Sequence, residues 1–110
     1  MKGFFTAVMA LALLSAFPAL GKGNAANGKE KAAQVCAACH GADGNKPSDP
    51  TQPILAGQHY DYLVRALTDY KLGRRSNAIM KGFAAQLSKK EIEDLAAWFA
   101  SQKSSLHDQR

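Results

Sequence analysis

Large apolar side chains are scarce over most of this 110-residue chain. Fifteen of its 51 apolar residues fall in residues 1–21, and from Lys22 onward only 19 are larger than alanine or cysteine. Folding must offset about 1–2 kcal/mol of backbone entropy per residue. One small domain is therefore the ceiling, and a chain this short draws on a staple, a metal or a cofactor to fill its middle. β-Branched residues are few and isolated, which excludes a sheet. Basic residues are scattered, with Arg74-Arg75 and Lys89-Lys90 the only adjacent pairs. The clustered basic stripe of a nucleic-acid surface is missing, so no nucleic-acid partner is expected. Repeats and low-complexity tracts are absent too.

What is present begins with a leader. Lys2 supplies a short positive end, Phe4 to Leu14 is uncharged and mostly apolar, and Pro18 and Ala19-Leu20-Gly21 stand where a cleavage site belongs. The expected organisation is a signal peptide over residues 1–21, cut after Gly21, and one domain over residues 22–110. Ala25 and Ala26 are alternative cut points. A retained anchor is the rival reading, because Gly3 to Gly21 carries no charge. After cleavage no membrane span is left, and the domain is expected in the periplasm. From Lys22 onward 13 basic residues face 9 acidic ones. That mild excess suits solubility and weak steering toward acidic partners.

Three segments carry a helical pattern. Asn27 to Val35 is a short first helix with Ala32, Val35 and Ala33 turned inward. From Tyr60, residues Leu63, Leu67 and Tyr70 recur at i, i+4 and i+7, and Gly73 stands where that helix would stop. Ser88-Lys89-Lys90-Glu91 has the spacing of a capping box, and Ile92, Leu95, Ala96 and Phe99 follow as one apolar stripe. Gly41 to Gly57 reads as a loop holding Pro47, Pro50 and Pro53, and Gly73 to Met80 as a shorter connection. The fold class is all-α, with long loops.

The chemistry sits in Cys36-Ala37-Ala38-Cys39-His40. Two thiols three residues apart, followed at once by an imidazole, match the attachment site of a c-type haem. Both sulfurs can reach the vinyl groups of one porphyrin while His40 binds the iron from below. A CxxC disulfide closes too small a loop to constrain the unfolded chain much. A thioredoxin-like pair needs a βαβ surrounding, and a zinc site needs a second ligand pair. Covalent haem is the stronger reading of these residues. Its iron has three candidates for a second axial ligand: Met80, His59 and His107. Met80 is the one methionine after the leader and sits in a polar stretch, an odd place for core filler. His59 stands at a helix start, and His107 in a polar tail.

From residue 27 to residue 102 the chain resembles the small bacterial class I cytochromes c, in particular one half of the two-haem c-four cytochromes. The resemblance runs through Cys36 to Gly41, Asp43-Gly44-Asn45, Pro53 to Gln58, Tyr62-Leu63, Arg75 to Met80, and Leu87-Ser88 to Trp98-Phe99. It implies a fold of three or more helices wrapped around one covalent haem c. It implies Cys36 and Cys39 as thioether residues, with His40 and Met80 as the iron ligands. Pro53 would offer its carbonyl to the other ring N–H of His40, the outer support that metal-bound imidazoles use, and Asn77 would help hold the methionine. In that family the first and last helices cross on a small residue and an aromatic, here Gly28 or Ala32 against Trp98 or Phe99. Tyr60, Tyr62 and Tyr70 would line the pocket and core. The implied function is a non-enzymatic, monomeric electron carrier between larger redox proteins; a haem enzyme or gas sensor, or an anchored electron-entry subunit, is the alternative. A single CxxCH allows only one haem.

Overall fold

The computed structural model describes Gly3 and residues 23–106. The expected leader, Gly3 apart, and the candidate ligand His107 lie outside the described residues. Among the described residues five helices follow in order: α1 (Ala25–Val35), α2 (Ala37–His40), α3 (Tyr60–Leu72), α4 (Ala78–Ala85) and α5 (Lys89–Ser101). No strand occurs among the described residues.

Local chemistry sets the helix ends. The Asn24 side chain accepts the Asn27 N–H at 3.0 Å, so α1 starts two residues before the expected Asn27. Ser88 Oγ accepts the Glu91 N–H while the Glu91 carboxylate accepts the Ser88 N–H, closing a capping box at the head of α5. α3 stops at Gly73, whose φ of 76° suits a residue without a Cβ. Ala33, expected to face inward, is exposed. The buried stripe of α1 is Gly28 and Ala32, and Ala33 lies roughly 100° further round the helix.

α4 is the larger departure. The connection expected up to Met80 ends at Asn77, and Met80 is helical rather than a loop residue. Asn77 Oδ1 accepts the Met80 N–H at 3.0 Å and caps the first turn. Beyond it, Met80, Phe83, Ala84 and Leu87 recur at i, i+3, i+4 and i+7, an apolar face that meets α3. The polar run Arg74 to Asn77 and the helix-weakening Gly82 conceal that pattern.

α1 crosses α5, and α3 packs on both α4 and α5. The crossing rests on Gly28: a Cβ there would overlap the Asp94 carbonyl and stand 2.9 Å from Trp98 Cβ. The backbones touch, and Gly28 against Asp94 and Trp98 makes the crossing contact. Phe99 turns the other way, toward Gly44. Asp94 is buried beside the crossing with both oxygens used: one accepts the Asn24 N–H at 2.7 Å, the other the Lys90 ammonium at 2.9 Å. The remaining core is Ala32, Leu63, Leu87, Ile92, Leu95, Ala96 and Phe99, more than half of it from α5.

Candidate cofactor site

The CxxCH segment forms one helical turn. The Cys39 and His40 N–H groups both return to the Cys36 carbonyl, at 3.2 and 3.0 Å. Residues three and four apart share a helix face, so Cys36, Cys39 and His40 face together onto one cavity of about 450 Å³. Ligand sites commonly run from about 300 to 1,000 Å³. Its walls are Leu63 and Leu67 of α3, Met80 and Phe83 of α4, and Leu95 and Phe99 of α5. Three of these six are core residues. The space therefore lies where the middle of the core would be, as the thin apolar content demands. Among the described residues no buried side-chain N or O atom lacks a hydrogen-bond partner. An apolar chamber entered by two thiols and one imidazole fits a large apolar group held through sulfur.

His40 is buried, and its Nδ1–H donates to the Pro53 carbonyl at 2.9 Å. That bond leaves Nε2 with its lone pair for a metal. Pro53 reaches this position because its loop folds back on the CxxCH turn. The Gly44 carbonyl accepts the Leu55 N–H at 2.9 Å, and Gly41 and Gly44 take φ near 83° and 82° to make the bends. No disulfide joins Cys36 and Cys39. Burial pushes the Cys36 thiol up to about 11, with Lys31 opposing and Cys39 adding to the rise. A thiol so shifted is a poor thiolate nucleophile at neutral pH.

Met80 and Asn77 both stand on the cavity wall. His59 does not: it is exposed ahead of the first turn of α3. Tyr62 and Tyr70 line the cavity, whereas Tyr60 packs against the core and accepts the Gly23 N–H at 3.2 Å. Arg75, which sequence reasoning left without a role, also lines it. Its guanidinium lies 4.8 Å from the centre of the Tyr70 ring and donates to Tyr62 Oη at 3.4 Å. The Tyr62 hydrogen bond raises the Arg75 pKa further above its ordinary value. Phe83 was likewise missed, although its spacing from Met80 and Leu87 was readable. A shallower groove on the outer side of α3, along Asp61, Arg65 and Asp69, is lined by charged groups and touches none of the motif residues. No helix among the described residues is long and apolar enough to cross a membrane.

The Cytochrome c family model matches residues 25–103. Cytochrome c4 of Pseudomonas aeruginosa is 51% identical over 84 residues, covering 76% of this chain and 41% of that protein. Cytochrome c-554(548) of Halomonas halodenitrificans is 39% identical over 84 residues, covering 74% of this chain and 99% of that protein. The crystal structure of reduced recombinant cytochrome c4 from Pseudomonas stutzeri superposes with a TM-score of 0.70 at 43% identity, over 76% of this chain and 48% of that one. The chain thus spans about half or less of the length of the cytochrome c4 relatives it matches and nearly all of the Halomonas protein. Helices, cavity and matches agree: the chain belongs to the cytochrome c family, has the all-α class I cytochrome c fold, and takes a covalently attached haem c with its iron.

Proposed function

We propose that the chain is an exported, soluble, monomeric electron carrier whose single haem is held by Cys36 and Cys39, with His40 and Met80 on the two sides of the iron. One observation carries the reading. Met80 and His40 line the same apolar cavity, and His40 is already oriented by Pro53. Haem iron supplies one-electron chemistry, and a His/Met pair favours the ferrous state. The protein's own part is to exclude water with Leu63, Leu95 and Phe99, to fix the His40 tautomer, and to hold Met80 through the Asn77 cap. Haem iron held by both His40 and Met80 would leave oxygen and small substrates no place to bind, which favours a carrier over an enzyme or sensor. Larger redox proteins would serve as transient donor and acceptor, through small contacts below about 1,200 Å².

Export follows from residues 1–21. A cut after Gly21 keeps the Gly23 N–H on Tyr60 and the Asn24 N–H on Asp94. A cut after Ala25 or Ala26 would remove both and the α1 cap. The mass of the exported chain checks the site: a mature N-terminus at Lys22 is expected.

The test of ligation is Met80→Ala. The reduced variant should keep its covalent haem, bind carbon monoxide and show a lower reduction potential, while His59→Ala changes none of these. A Met80→Ala protein with unaltered potential and no carbon monoxide binding, beside a His59→Ala protein showing both changes, would overturn the assignment.

A further inference from the structure

The loop that carries Pro53 is fastened to the far end of α5 at several points. Trp98 Nε1–H donates to the Ala42 carbonyl at 3.0 Å, and the Gly57 N–H donates to the Phe99 carbonyl at 2.9 Å. Phe99 packs so closely on Gly44 that a Cβ there would stand 2.8 Å from its ring. Between these points lies Asn45, half-buried and outside the cavity wall. Its Nδ2 donates to Asp43 Oδ2 at 3.0 Å and to the Lys103 carbonyl at 2.9 Å, and its Oδ1 accepts the Ser105 N–H at 2.7 Å. A side-chain amide has two donor hydrogens and one carbonyl, and here all of them are used. Asp43 also accepts the Asn45 backbone N–H at 3.0 Å, which fixes the direction of the side chain. Facing Lys103 and Ser105, the amide acts as the peptide of a neighbouring strand would. Among the described residues, these two are the only hydrogen bonds that residues 103–106 make outside their own segment.

The neighbours of Asn45 carry its grip to the site. The Gly44 carbonyl accepts the Leu55 N–H at 2.9 Å and the Ala56 N–H at 3.3 Å, and so holds the stretch just after Pro53. The Lys46 N–H donates to the His40 carbonyl at 3.1 Å and the Ser48 N–H to the Cys39 carbonyl at 2.9 Å, which holds the CxxCH turn. Asn45 thus sits between the contacts that place the two partners of the His40–Pro53 bond. We infer that Asn45 is a positioning residue for His40: by clamping the tail after α5 onto the loop, it keeps the Pro53 carbonyl on His40 Nδ1 and so sets the basicity of the iron ligand. This role rests on the haem reading of the cavity. An Nδ1–H bonded to a carbonyl makes the imidazole a stronger electron donor, which favours ferric iron. Loosening the clamp weakens that bond and must raise the reduction potential.

The experiment uses the full haem-loaded chain, with Asn45→Ala and Ser105→Pro made singly and together. Ser105 is exposed, and proline there removes the N–H that Asn45 accepts without touching the loop. At a fixed applied potential, Asn45→Ala should shift the ratio of reduced to oxidised protein about threefold toward reduced, equivalent to about 28 mV at about 59 mV per tenfold. In proton NMR of the reduced protein, the His40 Nδ1–H should exchange with solvent faster than in the wild type. Ser105→Pro should give part of both effects, and the double variant no more than Asn45→Ala alone, because the two residues share one clamp. Ser101→Ala, which loses a bond to the Trp98 carbonyl at the same helix end, should match the wild type. Lower stability in Asn45→Ala with potential and Nδ1–H exchange unchanged would confine Asn45 to holding the tail and overturn the inference. A fall in potential would overturn it too, since that is the sign of water entering the site. Should Asn45→Ala take up no haem, the same two readouts on Ser105→Pro decide. A wild-type chain without covalent haem would remove the reading of the cavity itself, which the visible spectrum separates from all of these results.

Discussion

The two sides of α5 are built on opposite plans. On one side α1 lies so close that Gly28 meets the Asp94 carbonyl, and a single methyl group has no room. On the other, α3 and α4 stand back around a cavity of about 450 Å³, and Ile79 and Phe83 on its wall stay exposed. The first side is closed by protein alone, through backbone contact, the Asn24–Asp94–Lys90 bonds and the Lys31–Glu91 pair at 2.6 Å. The second needs its cofactor to become a core. Small residues let a short chain bring its ends together, while the few large apolar residues are spent on lining a space they cannot fill.

Removing the cofactor should break this division most severely. Cys36→Ser with Cys39→Ser should leave no haem that survives denaturation, and the resulting chain should lose its cooperative unfolding transition. Hydrogen exchange should rise most across α3 and α4, where the walls have lost their filling. Equal protection of all five helices in that variant would contradict the contrast drawn between the two sides.

Next in size is the crossing. Gly28→Ala should destabilise the haem-loaded protein by about 3 kcal/mol or more, because backbone rather than a flexible side chain stands in the way. Chemical denaturation followed by circular dichroism measures it. A loss below about 1 kcal/mol would mean that α1 can slide on α5, and that the crossing is no tighter than ordinary helix packing.

A smaller effect is expected at the head of α4. Asn77→Ala should cost about 1 kcal/mol through the lost cap. It should also loosen the turn that carries Met80, so the reduced protein should bind some carbon monoxide that the wild type excludes. Stability lost without carbon monoxide binding would confine Asn77 to capping.

The least effect is acid-dependent and belongs to the crossing side. The Lys31 ammonium, helped by the Ser88 N–H, holds the Glu91 carboxyl at about 2, below its ordinary value of about 4.5. A carboxylate depressed on folding contributes stability that is complete above about pH 4.5 and is lost as pH falls toward 2. Thermal unfolding between pH 2 and 6 should therefore show a smaller acid loss in Glu91→Gln than in the wild type. An unchanged acid profile would show the pair to be without effect, as many exposed ion pairs are.

Some of this was legible residue by residue. The CxxCH spacing, the Ser88–Glu91 box and the stop at Gly73 are local, since each depends on atoms within about one helical turn. So is the thin apolar content that calls for a cofactor. α4 was legible in part: its Met80–Phe83–Ala84–Leu87 spacing is in the sequence, but Gly82 and the polar approach outweigh it until α3 supplies a surface to bury against.

What tertiary structure alone decided are the pairings between distant residues. His40 meets the Pro53 carbonyl 13 residues on because two left-handed glycines fold the loop back. Met80 stands on the His40 cavity while His59 stays outside, since the direction of α3 and the start of α4 choose between them. Gly28 lies so close to α5 that a Cβ has no room, and Arg75 rather than Arg74 joins the cavity wall. A sequence shows which side chains can bond, pack or ligate. Which of two near-equal candidates does so depends on the angle at which helices cross and the way loops close, and those follow from the packing of the whole chain.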